Sequence, residues 1–470
     1  VYREVVCARR GYSWSFSKQP ERAMNRWQRM AACGMSVAMT ALMATTASAQ
    51  EVSALVEQQL PGLLVTYKGI HAAPELSHHE ERTSALLAGE LRKAGYAVTE
   101  RVGRYPDGSQ AYGVVGILKN GAGPTLLIRT DLDALPVTEK TGLPYASAVR
   151  AKNPAGQDVG VMHACGHDIH ITTMIGVARN MAALKSQWHG TLMLIGQPSE
   201  ETIDGAKAML ADHLYERFGR PDMAIALHDS NFATGQVSVV PGPALASSTS
   251  IDVVMRGVGS HGAAPEAGKD PIVMASEFVV ELQTVVSRSI APDQPAVVTV
   301  GDIHGGTKRN IIPDDVKMEL TTRCYSEAVR QTIIDGVNRI AQGVAIAAGV
   351  PADRMPVVTV LEDESTPATI NDVALATRLQ KIFVAKLGAE NLVEKQPIMG
   401  SEDFGLFSLD HKIPAVIFWL GAYDPAKVTE SEKTGVALPS PHSPLFAPLP
   451  EPTLRTGVTA MTDAAVALLQ

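Results

Sequence analysis

Residues 190–196 read Gly190-Thr-Leu-Met-Leu-Ile-Gly196, an apolar run without the alternation of a half-exposed strand. Strands buried on both faces have this pattern, and they belong to parallel sheets covered by helices. Two more runs share it: Thr125-Leu-Leu-Ile-Arg-Thr130 and Asp222-Met-Ala-Ile-Ala-Leu-His228. Helical periodicity surrounds them at 51–67, at 80–94 with Leu86, Leu87 and Leu91, and at 174–184. An apolar strand at 413–420 and helices at 371–387 and 452–469 complete an α/β layer with a mixed, largely parallel sheet flanked by helices. Each of the first three runs leads into polar residues: Asp131-Leu-Asp133, Gln197-Pro-Ser-Glu200-Glu201, and His228 itself. In open α/β sheets, ligands bind beyond the carboxyl ends of the strands.

The middle of the chain changes character. Residues 247–256 alternate like a strand, 270–288 read as a helix, and 296–303 and 316–325 as strands. A helix at 327–348 and a strand at 357–361 follow. The order βαββαβ is that of the ferredoxin-like split sandwich, an independent small unit. The expected organisation is an inserted domain at 243–361 within a larger domain of 50–242 plus 362–470.

Chemistry concentrates in His163-Ala-Cys165-Gly-His167-Asp168-Ile-His170. Thiolate, imidazole and carboxylate are the side chains that bind zinc and its first-row neighbours. In an extended segment Cys165 and His167 point to one side, which places the pair on a strand end or loop. The spacing is neither that of a zinc finger nor of a HExxH helix, so further ligands must come from elsewhere in the chain. Glu200 and Glu201 follow a buried strand, and adjacent strand residues face opposite ways, so one can ligate and the other act as a base. His442 lies in a rigid Ser440-Pro-His442-Ser-Pro turn. Taken singly, His228 fits a hydrogen-bonded strand histidine and the glutamate pair fits a solvated loop. Their joint position at segment ends of one α/β framework favours a shared metal site.

The chain has 470 residues, 45% hydrophobic and 19% charged, enough for two domains with ordinary cores. A net charge of −8 without a basic run excludes nucleic acid as the main partner. Met24-Asn-Arg26-Trp-Gln-Arg29, the apolar run 30–44 and Ala47-Ser48-Ala49 read as a secretory signal cleaved near Ala49, with Met24 as the start and residues 1–23 upstream of it. The run is short for a membrane span, so export without a stable membrane anchor is expected, to the periplasm or outside the cell. Cys7 and Cys33 would leave with the signal. Cys165 and Cys324 are then no disulfide framework, and Cys324, in a strand-like alternation, reads as a buried apolar residue.

Eight motifs occur in sequence order: Arg129-Thr-Asp131-Leu-Asp133-Ala-Leu-Pro136, His163 to Asp168, Ser199-Glu200-Glu201, Leu227-His228, Ser260-His261-Gly-Ala-Ala-Pro265, Arg309-Asn310-Ile-Ile-Pro313, Gly400-Ser-Glu402-Asp403-Phe404 and Pro441-His442. With them the chain, from about residue 55 to its end, resembles the metallo-amidohydrolases that include aminoacylases, hippurate hydrolases and indole-3-acetyl amino acid hydrolases. The resemblance implies a zinc-peptidase-like catalytic domain and a lid and dimerisation domain. It implies two divalent metal ions, zinc or manganese, with Cys165 as bridge and His167, Glu201, His228 and His442 as the other ligands. Glu200 would be the general base and acid, and Asp133 the carboxylate that orients the site. His261 would reach the active site, if need be that of a neighbouring subunit, to stabilise the oxyanion. Asn310, Arg323 and the Gly400 backbone would hold the substrate carboxylate, a task suited to a guanidinium fork. Related aminopeptidase branches carry His where this chain has Asp131, so Asp131 receives no ligand role. The implied activity is hydrolysis of N-acyl amino acids. The alternatives are a carboxypeptidase or dipeptidase of the same fold, a binding protein that keeps the metal, and a hydrolase using Cys165 as nucleophile. The retained Glu200 argues against a binding protein.

Overall fold

The fold, given by a computed structural model, is described for residues 51–153 and 155–470. The signal-peptide reading falls outside the described residues. No helix among them is long and apolar enough to cross a membrane.

The three apolar runs are strands at the heart of a seven-stranded sheet. Its order is Ala97–Arg104, Gln110–Asn120, Gly190–Gln197, Thr125–Asp131, Met223–Ala233, Ala415–Tyr423 and Val237–Ser238. The four strands from Gly190–Gln197 to Ala415–Tyr423 are mutually parallel, and the outer ones pair antiparallel. Every residue of Ala415–Tyr423 is buried, as expected for a strand covered on both faces. Helices 51–71, Glu81–Lys93, His167–Ala183, Val373–Leu387 and Pro450–Leu468 supply one apolar layer, around Leu63, Leu87, Ile175, Phe383, Phe418 and Met461. Helices Gly205–Ala211 and Leu214–Phe218, with the short turn Phe404–Ser408, supply the other, around Met209, Phe404 and Ile417.

The middle of the chain forms its own antiparallel sheet, in the order Ala296–Gly305, Asp315–Cys324, Ser248–Arg256, Val357–Thr366. Strict alternation along Asp315–Cys324 buries Val316, Met318, Leu320, Thr322 and Cys324. That face packs on helices Pro271–Thr284 and Glu327–Ala347 through Phe278, Leu282, Ile333 and Val337. Full burial of Phe278 alone is worth about 1.5–3 kcal/mol. Ser326 caps the second helix by accepting from the Val329 N–H.

Three boundaries differ from those read in the sequence, each for a tertiary reason. The strand through His228 runs on to Ala233, because its parallel partner Ala415–Tyr423 keeps pairing as far as Tyr423 with Ala233. His228 is thus a mid-strand residue, although its pairing with Thr125–Asp131 has already ended at Arg129 with Ala226. The last strand of the small sheet extends to Thr366, past residue 361. The helix read from Met174 begins at His167. Its first turns carry His, Asp and Thr, which hide the helix from a hydrophobic pattern, yet they are buried on all sides.

Candidate metal centre

The Cys165–His167 pair sits on a turn into a helix, which corrects the extended geometry expected for it. Gly166 between them is left-handed, at φ 78°. A Cβ there would stand 2.2 Å from Asp229 Oδ1, so only glycine allows this approach. The turn leaves Cys165 Sγ 3.4 Å from His228 Nε2. The ligand atoms of Cys165, His167 and His228 lie within 4.8 Å of one another, as do those of Cys165, Glu201 and His442, and those of His167, Glu200 and Glu201. The five ligands implied by the resemblance therefore meet, with Glu200 beside them. His442 gets there by a left-handed turn, at φ 71°, and by donating its backbone N–H to Ala164 O at 2.8 Å.

The tautomers suit ligation. His167 Nδ1–H donates to the Asp133 carbonyl at 2.9 Å and His228 Nδ1–H to the Asp229 carbonyl at 2.6 Å, which frees both Nε2 atoms. Burial, then the charge of His170, keeps His228 well below the usual imidazole range and hence neutral. Glu200 Oε2 and Glu201 Oε1 each lie 3.8 Å from His167 Nε2. The two carboxylates thus converge instead of facing opposite ways, because they occupy a turn and not the strand. His167 Nε2 and Glu201 Oε1 are buried and have no hydrogen-bond partner among the described residues. Burial, then the charges of Glu402, Glu201 and Asp403, hold Glu200 well above the carboxylate range, and Glu201 rises to about 8, first through burial. Orphaned donors with a surplus of buried negative charge fit divalent cations.

Asp131 is already engaged: Oδ2 accepts from Arg129 Nη1 at 2.7 Å and Oδ1 pairs with His170 Nδ1 at 2.7 Å. It acts behind the ligands, through His170, whose Nε2 meets Asp229 Oδ1 at 3.3 Å. Asp133 supports two candidate ligands, His167 by its carbonyl and Glu201 by accepting the backbone N–H at Oδ2, 3.0 Å away.

A cleft of about 580 Å³ opens over the cluster, and Arg323, Gly400, Trp419 and Ile398 line it. Arg323 Nη1 donates to the hydroxyls of Ser248 and Thr321. Among the described residues no carboxylate pairs with it, and burial lowers its pKa. His261 and Asn310 do not join the site within this chain. Both are exposed and sit at the paired strands Ser260–His261 and Ile311–Ile312. The sheet explains this: Thr249 pairs with Thr322 beside the cleft, whereas Arg256, which leads towards His261, pairs with Asp315 at the other end. Seven strand residues separate the two ends by about 23 Å.

Two buried residues behind the cluster carry no role in the sequence reading. Arg129 donates from Nε to Gln197 Oε1 at 2.8 Å and from Nη2 to Glu402 Oε1 at 2.7 Å, besides its bond to Asp131. An arginine inside an otherwise apolar strand was the available signal. Glu80 accepts from Ser199, next to the glutamate pair, and nothing local in the sequence marks it.

The signature of Peptidase family M20/M25/M40 matches residues 127–437. An N-acetyldiaminopimelate deacetylase of Leuconostoc citreum is 36% identical over 360 residues, 76% of this chain and 87% of the relative. The chain belongs to this peptidase family. Thermostable carboxypeptidase 1 of Saccharolobus solfataricus is 34% identical over 401 residues, covering 84% of this chain and 93% of that one. The crystal structure of a dinuclear metal-binding M20 peptidase from Bacillus subtilis superposes at TM-score 0.70 and 27% identity, over 88% of this chain and 99% of that one. M20 members are hydrolases of amide bonds, and the mixed α/β sheet flanked by helices agrees with that assignment.

Proposed function

We propose that this M20 hydrolase is an exported, metal-dependent amidohydrolase that releases the amino acid from N-acyl amino acids. The observation that carries the reading is the junction, in one cleft, of the Cys165, His167, Glu201, His228 and His442 cluster, with Glu200 at its edge, and the Arg323 guanidinium, which has no acidic partner among the described residues. The deacetylase name of one relative points the same way. Two divalent cations, zinc or manganese, held by those five ligands would acidify a water molecule and polarise the amide carbonyl. Glu200 takes the water proton and delivers it to the leaving nitrogen. Arg323 and the Gly400 backbone bind the free α-carboxylate of the substrate. The thiol of Cys165 is spent as a ligand and is not the nucleophile.

The inserted sheet serves as lid and dimerisation surface in this reading. Its edge strand Ala296–Gly305 exposes Ile303, and the neighbouring helix exposes Ile272, Val273 and Val280. A second copy seated there would cover these apolar residues and offer its own His261 and Asn310 as partners for substrate. Sedimentation of the purified protein tests the dimer, and N-terminal sequencing of exported protein tests cleavage after Ala49.

The activity is tested on metal-depleted protein with zinc or manganese added back, against N-acetyl, N-benzoyl and indole-acetyl amino acids and dipeptides. Metal-restored release of amino acid from the acyl conjugates is expected. Faster turnover of dipeptides would favour a carboxypeptidase or dipeptidase, the reading suggested by the second relative's name. Stoichiometric metal without turnover of any substrate would leave a binding protein.

A further inference from the structure

The corner that presents Glu200 and Glu201 is fastened by three buried carboxylates, one for each of three backbone N–H groups. Ser199 N–H donates to Glu80 at 2.8 Å, Glu201 N–H to Asp133 at 3.0 Å, and Ala206 N–H to Asp403 at 3.0 Å. Asp133 and Asp403 come from motifs already tied to the site; Glu80 comes from the start of helix Glu81–Lys93. It occupies the N-cap position of that helix but makes no side-chain cap bond. Its carboxylate turns away from its own helix instead. Glu80 Oε1 accepts from Ser199 N, from Ser199 Oγ at 3.0 Å and from His78 N at 3.0 Å. Ser199 is left-handed, at φ 52°, a conformation that a serine keeps only when its surroundings impose it. Tyr105 closes the clamp with its hydroxyl 2.6 Å from Ser199 Oγ, and His78 stacks on the Tyr105 ring at 4.4 Å. Glu80 is completely buried, so the clamp is not a solvated surface contact.

We infer that Glu80 is a positioning residue of the reaction: by holding Ser199 in its left-handed turn, it makes Glu200 and Glu201 converge on His167. Without that turn the chain would leave strand Gly190–Gln197 in extended form, and adjacent carboxylates would face opposite sides. The inference rests on the roles of Glu200 and Glu201 given above. Its test therefore includes a signal that needs no substrate. The cobalt(II)-loaded protein reports ligand geometry at Glu201 through its visible absorption, and chelator competition reports affinity.

Glu80→Ala is expected to shift the cobalt spectrum, and to lose about tenfold or more in metal affinity or in kcat under saturating metal, with KM changed by less than about twofold. Glu80→Gln keeps an acceptor oxygen at the same place and is expected to restore both. Ser199→Ala removes the hydroxyl that Glu80 holds and leaves a side chain that disfavours the left-handed angle; it should reproduce part of the loss even if Glu80→Ala does not fold. An unchanged spectrum and kcat in Glu80→Ala, or in Ser199→Ala where that variant must stand alone, overturns the inference. So does a Glu80→Gln protein as impaired as Glu80→Ala, because charge and not the acceptor would then matter. A shifted cobalt spectrum in a protein whose wild type cleaves no acyl amino acid would leave Glu80 in place and remove the proposed substrate class.

Discussion

The backbone N–H of Glu201 donates to Asp133 Oδ2 at 3.0 Å, while the Asp133 carbonyl receives the His167 Nδ1–H at 2.9 Å. One residue thus orients two candidate ligands by two different atoms. Ser77 Oγ donates to the same Oδ2 at 2.7 Å and fixes the carboxylate. Asp133→Ala keeps the carbonyl and loses only the carboxylate arm. It should therefore lower metal affinity by about 10–100-fold, the usual effect of removing such a support. Metal content after dialysis against graded chelator checks this; wild-type retention would remove Asp133 from that role.

Glu200 is separable from metal binding if it is the base. Glu200→Gln keeps the shape and hydrogen-bonding capacity at that point but takes up no proton. We expect stoichiometric metal, an unchanged melting temperature and a kcat lowered by about 10²–10⁴-fold. Turnover at the wild-type rate would assign the proton transfer to another group.

The central strands were legible because their signal is local, whereas the set of five candidate ligands was legible through the family resemblance. A doubly covered strand must be apolar throughout. What escaped depends on contacts distant in sequence. Helix His167–Ala183 is buried on all sides, so its polar first turn has no periodicity to betray it. His228 reads as a strand end, but the pairing with a strand almost two hundred residues away carries the strand onward. Glu80 looks like any surface glutamate at a helix start until Ser199 is seen against it. The convergence of Glu200 and Glu201 follows from one left-handed serine, which no residue-type preference announces. His261 and Asn310 were legible as a motif, but their distance from the cleft is set by strand register, which the motif does not encode.

His71 offers a stability test away from the ligands. Its Nδ1 meets Asp168 Oδ2 at 2.6 Å and its Nε2 meets Glu139 Oε1 at 3.1 Å, all three side chains being nearly inaccessible. Burial opposes the charge, but the bonds to Asp168 and Glu139 outweigh it and raise His71 from 6.5 to about 10. A histidine raised on folding stabilises fully below its unfolded pKa, and that contribution fades as pH climbs through the folded value. The wild-type melting temperature should accordingly fall between pH 7 and 10.5 more steeply than that of His71→Gln. At pH 7 the variant should be less stable by about 3–5 kcal/mol, because two buried carboxylates lose their cation. Parallel pH curves for the two proteins would show that His71 is neutral in the fold.

The proposed role of Arg323 in binding a free substrate carboxylate is testable with a pair of substrates. Its guanidinium lines the cleft beside the metal ligands and has no acidic partner of its own among the described residues. A charge-assisted bond to a ligand carboxylate is worth about 1.5–3 kcal/mol, so Arg323→Met should raise KM for an N-acyl amino acid by about 10–100-fold. The corresponding N-acyl amino acid amide lacks the charge; wild type should cleave it poorly, and the variant should cleave it no worse. Steady-state kinetics with this substrate pair separate recognition from general damage. Equal losses on both substrates would mean that Arg323 holds its strand of the small sheet through Ser248 and Thr321 and leaves the carboxylate to other groups.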